Sequence, residues 1–314
     1  MKIGFEVFMS VAAHLSVTRA AEELHVTQQC VSDHIRRLEQ EYGIALFDRK
    51  PRFRLTEAGE SMFRDLQSIS VMERNMGRNL LEMSQGSRGS FTVGISTSRA
   101  PLILPDVLAR YYHGFPEVMI SFSEEDTHFL EDQLASGNID LFVGINTKPD
   151  PVYEIETLAE EEIHLVISEG LLRRHFTDRE INALSRNADL RLFCDIPFTL
   201  NLTEGKIQHV IREYLDANKL SLRSIYNISD SNTQIMMCST GVCAALCPTM
   251  LLNRMHLHNL TSNRQNHLLS FPVKSLDGHV RIELVHRKEA RYPRYIRAFM
   301  DILREEVPRL MKRQ

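Results

Sequence analysis

The chain has no apolar run of about 18 residues, so no helix is expected to cross a bilayer and no membrane is expected among its partners. Its first residues lack a charged stretch followed by an apolar one, so no export leader is expected. Cysteine is scarce: five in 314 residues, odd in number and scattered. That argues against a disulfide framework and for a reducing cytosol. No Gly-rich phosphate loop, nucleophile elbow or His-Glu-x-x-His run is present, so neither an enzyme nor a cofactor is expected. The acidic pairs and triplets, Glu124-Glu125 and Glu160-Glu161-Glu162, read as solvated faces. His256 and His258 form the one dense histidine pair, but without a nearby set of Cys, Asp or Glu they make a poor metal site. Net positive charge is missing too, the formal value being −4. What remains is an ordinary globular composition, long enough for two or three domains.

The first sixty residues carry the clearest pattern. Phe5, Phe8, Ala12 and Leu15 recur at helical spacing and predict a first amphipathic helix. Ser16 can cap a second helix, with Thr18 at its start. Ala20, Ala21 and Leu24 form its inner face, and the two alanines allow a neighbouring helix to approach closely. His25-Val26 breaks the pattern, and Thr27 caps a third helix that buries Val31, Ile35 and Leu38. The opposite face then presents Gln28, Gln29, Ser32, Asp33 and Arg36. These side chains suit base edges in a major groove: Gln for adenine, Arg for guanine or phosphate, Asp for the cytosine amino group.

Past Gly43 the pattern changes to Leu46-Phe47 and then to Arg49, Lys50, Arg52 and Arg54. Alternation of Arg52 and Arg54 with Phe53 and Leu55 has the period of a strand. A basic β-wing lying along phosphates is expected; it positions the module without specifying sequence. Residues 1–58 hold eight Lys/Arg and eight Asp/Glu. The local field of residues 49–54, with four cations and no acid, is therefore what would steer DNA, rather than total charge.

This stretch resembles the DNA-reading module of the LysR-type transcriptional regulators. The resemblance runs through Phe8, Ala20-Ala21, Leu24, Val26, Gln28, Val31-Ser32, Ile35, Leu38-Glu39, Gly43, Leu46-Phe47, Arg49, Leu55-Thr56 and Ala58-Gly59. It departs at Val17, Gln29, Cys30 and Asp33. Gln29 and Asp33 are among the residues expected to face DNA, so no operator sequence is carried over. The DNA-contacting set is Thr18, Thr27, Gln28, Gln29, Ser32, Asp33, Arg36, Arg49, Lys50, Arg52 and Arg54.

From Thr56 to about Ser84 there is no proline. Met62, Leu66, Ile69, Met76, Leu80 and Met83 lie near heptad spacing and form a seam that needs a partner. In the family this helix pairs two subunits. The Gly/Ser run at 85–90 is the natural boundary. Beyond it strands and helices alternate: strands at 91–95, 117–122, 139–144, 163–167, 221–228, 241–246 and 281–286, and helices at 101–112, 127–136, 205–218, 231–239 and after Pro293. That rhythm predicts a mostly parallel sheet covered by helices.

Leu104-Pro105, Phe115-Pro116-Glu117-Val118, the Leu134/Gly137/Ile139-Asp140-Leu141 run, and Gly241-Val242 with Leu246 and Pro248 also resemble the family. Its sensor domain is like a periplasmic ligand-binding protein, with an effector between two α/β lobes. The expected fold is thus α+β multidomain: an N-terminal winged helix-turn-helix (1–58), a long linker and dimerisation helix with its hinge (59–89), and a two-lobed α/β sensor domain (90–314). Lobe I would hold 90–163 and 268–314, lobe II 164–267. Thr97, Ser98, Arg99, Asn146, Thr147, Thr199, Asn201, Asn232 and Thr233 sit at strand-to-helix turns and are the expected effector contacts. Free N–H groups at helix N-termini favour an anionic metabolite. Arg99 and Lys206 could pair a carboxylate, although a solvated charge is the plainer reading of each.

The resemblance implies a cytoplasmic regulator that binds double-stranded DNA as a dimer or tetramer, answers a small-molecule effector and has RNA polymerase as a further partner. The alternative is a redox sensor of the same family, acting through Cys194, Cys238, Cys243 and Cys247. Their spacing is not that of a CxxC pair, and burial as small hydrophobes is the default for them.

Overall fold

The computed structural model describes all residues except 51, 86–87, 185–186, 201–204, 277–279, 289 and 313–314. They fall into two compact units: residues 1–86 with 135–138 and 289–293, and residues 87–134, 139–288 and 294–314.

The first unit opens with three helices, α1 (Ile3–His14), α2 (Val17–Glu23) and α3 (Gln28–Tyr42). Phe8, Val11, Ala20, Ala21, Val31, Ile35 and Leu38 make their common core. Leu15 does not join the stripe of α1. It ends the helix at φ 45° in the left-handed region and is exposed. Ser16 and Thr27 cap α2 and α3 by accepting from Arg19 N (3.3 Å) and Cys30 N (3.2 Å). Both bonds satisfy amides that helix geometry leaves unpaired. Next come β1 (Phe47–Asp48) and β2 (Arg54–Leu55), an antiparallel pair. Helix α4 (Glu57–Gln85) follows, capped by Thr56, whose Oγ1 accepts from Gly59 N at 3.0 Å.

The apolar seam of α4 divides in two. Met62 and Leu66 pack into the three-helix core, whereas Ile69, Met76 and Leu80 are exposed, joined by Met72. The side chain of Met83 lies outside the described residues.

The second unit contains β3 (Gly89–Ile95), α5 (Ala100–Gly114), β4 (Val118–Glu124), α6 (Thr127–Ser136, apart from its last two residues), β5 (Leu141–Ile145), β6 (Tyr153–Glu161), β7 (Ile163–Ser168), α7 (Glu169–His175) and α8 (Asp178–Leu184). The chain continues with β8 (Pro197–Leu200), α9 (Lys206–Ala217), β9 (Arg223–Asn227), α10 (Ser231–Ser239), β10 (Ala245–Pro248), α11 (Asn253–Thr261), β11 (Leu268–Pro272), β12 (Val280–Arg287) and α12 (Arg294–Lys312).

Strands β4-β3-β5-β12-β6 form one sheet and β10-β7-β11 another, with β8 beside β9. In the first sheet β3 runs parallel to β4 and β5, but β12 is antiparallel to both its neighbours. The second sheet is antiparallel throughout. The expected mostly parallel sheet is therefore confined to β3, β4 and β5, with β8 and β9 a separate parallel pair. Only Glu162 separates β6 from β7, so one extended run leaves the first sheet and enters the second without the helical crossover that a parallel neighbour needs. Leu268–Pro272 pairs with β7 and lies in the second sheet, although residues from 268 onward were expected with the first.

Helix α12 buries Ile296, Phe299, Leu303 and Val307, the anticipated stripe. Its Phe299 meets Phe91 of β3 edge-on at 5.3 Å, and Tyr111 of α5 gives its hydroxyl to Tyr295 O at 3.0 Å. No helix of the described residues is long and apolar enough to cross a membrane.

Candidate nucleic-acid interface and effector cleft

Helix α3 exposes one side because its burial is confined to Val31, Ile35 and Leu38. Thr27, Gln28, Gln29 and Arg36 are exposed there, Ser32 and Asp33 half-buried, and Thr18 is exposed on α2. Arg36 is not a free cation: its Nη1 lies 3.0 Å from Asp33 Oδ1, one turn back. Two of the expected base contacts thus hold each other.

The wing is built from inside. Phe47 stacks on Phe53 at 5.0 Å. Glu39 of α3 accepts from Leu46 N (2.8 Å) and Phe47 N (3.3 Å), which ties the hairpin to α3. Arg49, Lys50, Arg52 and Arg54 are all exposed. Arg54 is bound to Asp48 across the hairpin at 3.0 Å. Arg49, Lys50 and Arg52 have no acidic partner among the described residues, so the positive field belongs to them.

In the second unit a cleft of about 350 Å³ opens where β3 meets α5. Ser96, Thr97, Ser98 and Arg99 form one wall, Glu125, Asp126 and His128 a second, and Lys206, Gln208 and Asp230 a third. Three expected contacts, Thr97, Ser98 and Arg99, therefore come together. Arg99 is 1 % exposed and ion-paired with Glu161, itself 2 % exposed. The other oxygen of Glu161 accepts from Met250 N at 3.1 Å. Glu161 is thus no solvated face, because its partner lies inside the fold. Lys206 is likewise engaged, with Nζ 3.0 Å from Glu131 Oε1.

The remaining expected contacts lie elsewhere. Asn146 and Thr147 line a separate, more open recess with Lys206 and Arg281. Asn146 sits at φ 43° and accepts from Arg281 N at 2.9 Å, while Thr147 N donates to Glu283 at 2.6 Å. Thr199 is fully buried in β8, its N–H bonded to Ala244 O at 2.9 Å. Asn201 lies outside the described residues. Asn232 and Thr233 are absorbed by the cap of α10: Asp230 accepts from Thr233 N (2.8 Å) and Thr233 Oγ1 (2.6 Å), and from Asn232 N at 3.4 Å. Burial raises the Asp230 pKa, but these bonds outweigh it and hold the carboxyl below its ordinary value. It is Asp230, not the residues it caps, that faces the cleft.

Sequence reasoning missed Glu125, Asp126, Gln208 and Asp230. Glu125 and Asp126 follow β4 and open α6, the same strand-to-helix placement that singled out Thr97. That placement is visible in the sequence, but the pair Glu124-Glu125 reads there as a solvated face, and nothing local marks Asp126.

The cysteines are free. Cys238, Cys243 and Cys247 are completely buried. A hydrogen bond between Cys238 and Cys243 raises the first thiol's pKa and lowers the second's, and burial pushes Cys247 up to about 12. Among the described residues no group of three or more side chains could hold a metal ion.

Comparison with known proteins gives two family matches. Residues 4–60 match the bacterial regulatory helix-turn-helix protein, lysR family, and residues 84–308 match the LysR substrate binding domain. A RuBisCO operon transcriptional regulator of Allochromatium vinosum is 33% identical over 51% of this chain and 53% of its own. A probable RuBisCO transcriptional regulator of Cyanidioschyzon merolae is 28% identical over 51% and 54%. The chain spans about half the length of these two relatives. A probable RuBisCO transcriptional regulator of Cyanophora paradoxa is 24% identical over 85% and 84%. Among solved structures, full-length CbnR complexed with its target DNA is similar at TM-score 0.53 and 19% identity, covering 96% of this chain and 98% of that one. HinK, a LysR family transcriptional regulator from Pseudomonas aeruginosa, is similar at TM-score 0.58 and 21% identity, covering 97% of each.

Proposed function

We propose, from the premise that this chain belongs to the LysR family, that it is a DNA-binding transcriptional regulator controlled by a small molecule. The observation that carries the reading is the Thr27-capped helix α3. Its exposed side offers Gln28 and Gln29 beside a wing whose Arg49, Lys50 and Arg52 are free to meet phosphate. Helix α3 enters the major groove, with Gln28, Gln29, Ser32 and the Asp33–Arg36 pair addressing bases. The wing and Thr18 hold the backbone.

Residues 1–58 form the reading module, 59–89 the linker helix and hinge, and 90–314 the sensor. The exposed stretch of α4 pairs two copies, and pairs assemble further into tetramers. Half-sites then lie about 34 Å apart, or at a multiple of that spacing. The effector sits against Thr97, Ser98 and Arg99. Its binding alters DNA occupancy to the extent that it prefers one arrangement of the protein over another. RNA polymerase reads the result in the cytoplasm. The chain acts by binding and not by turnover.

The test is footprinting of the full chain over the DNA upstream of its own coding sequence and of the neighbouring gene. A protected stretch at moderate salt is expected, and its loss of sequence preference in Gln28→Ala supports base reading. No protection with either protein overturns the assignment.

A further inference from the structure

We propose that the cleft beside α5 takes a zwitterionic amino acid with a short apolar side chain, in place of a simple anion. This rests on the effector-binding reading above and adds the chemical class of the ligand.

The unspent charge in the cleft is negative. Its two cations are engaged, Arg99 with Glu161 and Lys206 with Glu131. The carboxylates of Glu125 and Asp126 have no hydrogen bond or ion pair among the described residues. Asp230 keeps its own charge through the α10 cap. An ammonium group placed here finds partners; a lone carboxylate meets like charge.

The other wall asks for an acceptor. Ser96 is 7 % exposed and Arg99 1 % exposed, and both line the cleft. Among the described residues, Ser96 Oγ and Arg99 Nε are each enclosed without a hydrogen-bond partner. Buried donors left unpaired are costly, so such groups normally find an acceptor. The Ser96 hydroxyl changes position by rotation about χ1 alone. A ligand carboxylate at the start of α5 satisfies the Ser96 hydroxyl once that hydroxyl turns toward the cleft. One small molecule bearing both groups answers both walls, and the cleft's volume of about 350 Å³ suits it.

The side chain follows from the neighbouring recess. A pocket of about 80 Å³, walled by Leu200, Ile207, Ile211, Leu215 and Leu246, shares Ile207, Gln208 and Ser231 with the cleft. It has room for a branched aliphatic group and offers it apolar contact.

Three compounds with one skeleton separate the charges: leucine, isopentylamine (no carboxylate) and isocaproate (no ammonium). Each is titrated into the full chain by calorimetry. Leucine is expected to bind about tenfold more tightly than either of the others. In Glu125→Gln with Asp126→Asn, both exposed and outside the core, leucine should lose about tenfold while isocaproate does not weaken. Isocaproate or isopentylamine equalling leucine overturns the inference, as does the absence of binding by all three at about 10 mM. None of these outcomes touches the footprint on DNA, so a failed ligand class and a failed regulator remain distinguishable.

Discussion

Arg99 changes meaning once its neighbours are known. In the sequence it is a cation opening a helix, ready for a carboxylate. In the fold it is buried against Glu161, which is held in turn by Met250 N. The desolvation of such a pair is offset only by contacts of this kind. The thiols follow the same logic. Cys238, Cys243 and Cys247 are sealed, while Cys30 and Cys194 are half-buried. With a thiol-reactive disulfide at mildly alkaline pH, only Cys30 and Cys194 are expected to react in the native chain, and all five after unfolding. A fast third thiol at Cys243, whose pKa is lowered by its bond with Cys238, would instead favour the redox alternative. Residue types were legible in the sequence. Their partners were not, because Glu161 lies 62 positions from Arg99 and no local pattern links them.

Elements were legible where their signals are local. Ser16 and Thr27 cap the helices that they were expected to cap, because a cap is a bond between near neighbours. Strand β6 escaped notice, since Glu154, Glu156 and Glu160 hide the burial of Tyr153, Leu158 and Glu161. The antiparallel partners of β7 arrive from more than 70 residues downstream, beyond any window of periodicity. Helix α4 is the element that most needs a partner: Ile69, Met72, Met76 and Leu80 are exposed at helical spacing. Met76→Glu is expected to weaken self-association about tenfold or more, read as a shift toward monomer in sedimentation. It should leave the folding of the first unit intact, because Met76 is 59 % exposed. An unchanged sedimentation profile removes α4 from the interface.

On the scale of the molecule, a formal charge of −4 coexists with a wing whose Arg49, Lys50 and Arg52 have no acidic partner among the described residues. DNA binding should therefore depend steeply on salt despite the acidic total. Arg49→Ala should lower the slope of log affinity against log salt by about one, for all sequences alike. Arg54→Ala should change it less, because Asp48 already compensates that charge. Equal effects of the two, measured by titration at several salt concentrations, would contradict this division of the wing.

Sequence alone was enough to place the N-terminal helices, their caps, the cation cluster and many of the later strands and helices, because each is marked by a pattern among near neighbours. Tertiary structure alone decided that Arg99 and Lys206 are neutralised within the fold, that Asp230 and not Asn232 faces the cleft, and that the second sheet is antiparallel. Those features depend on which distant segments meet. Burial, which sets the strength of every charge involved, exists only after they have met.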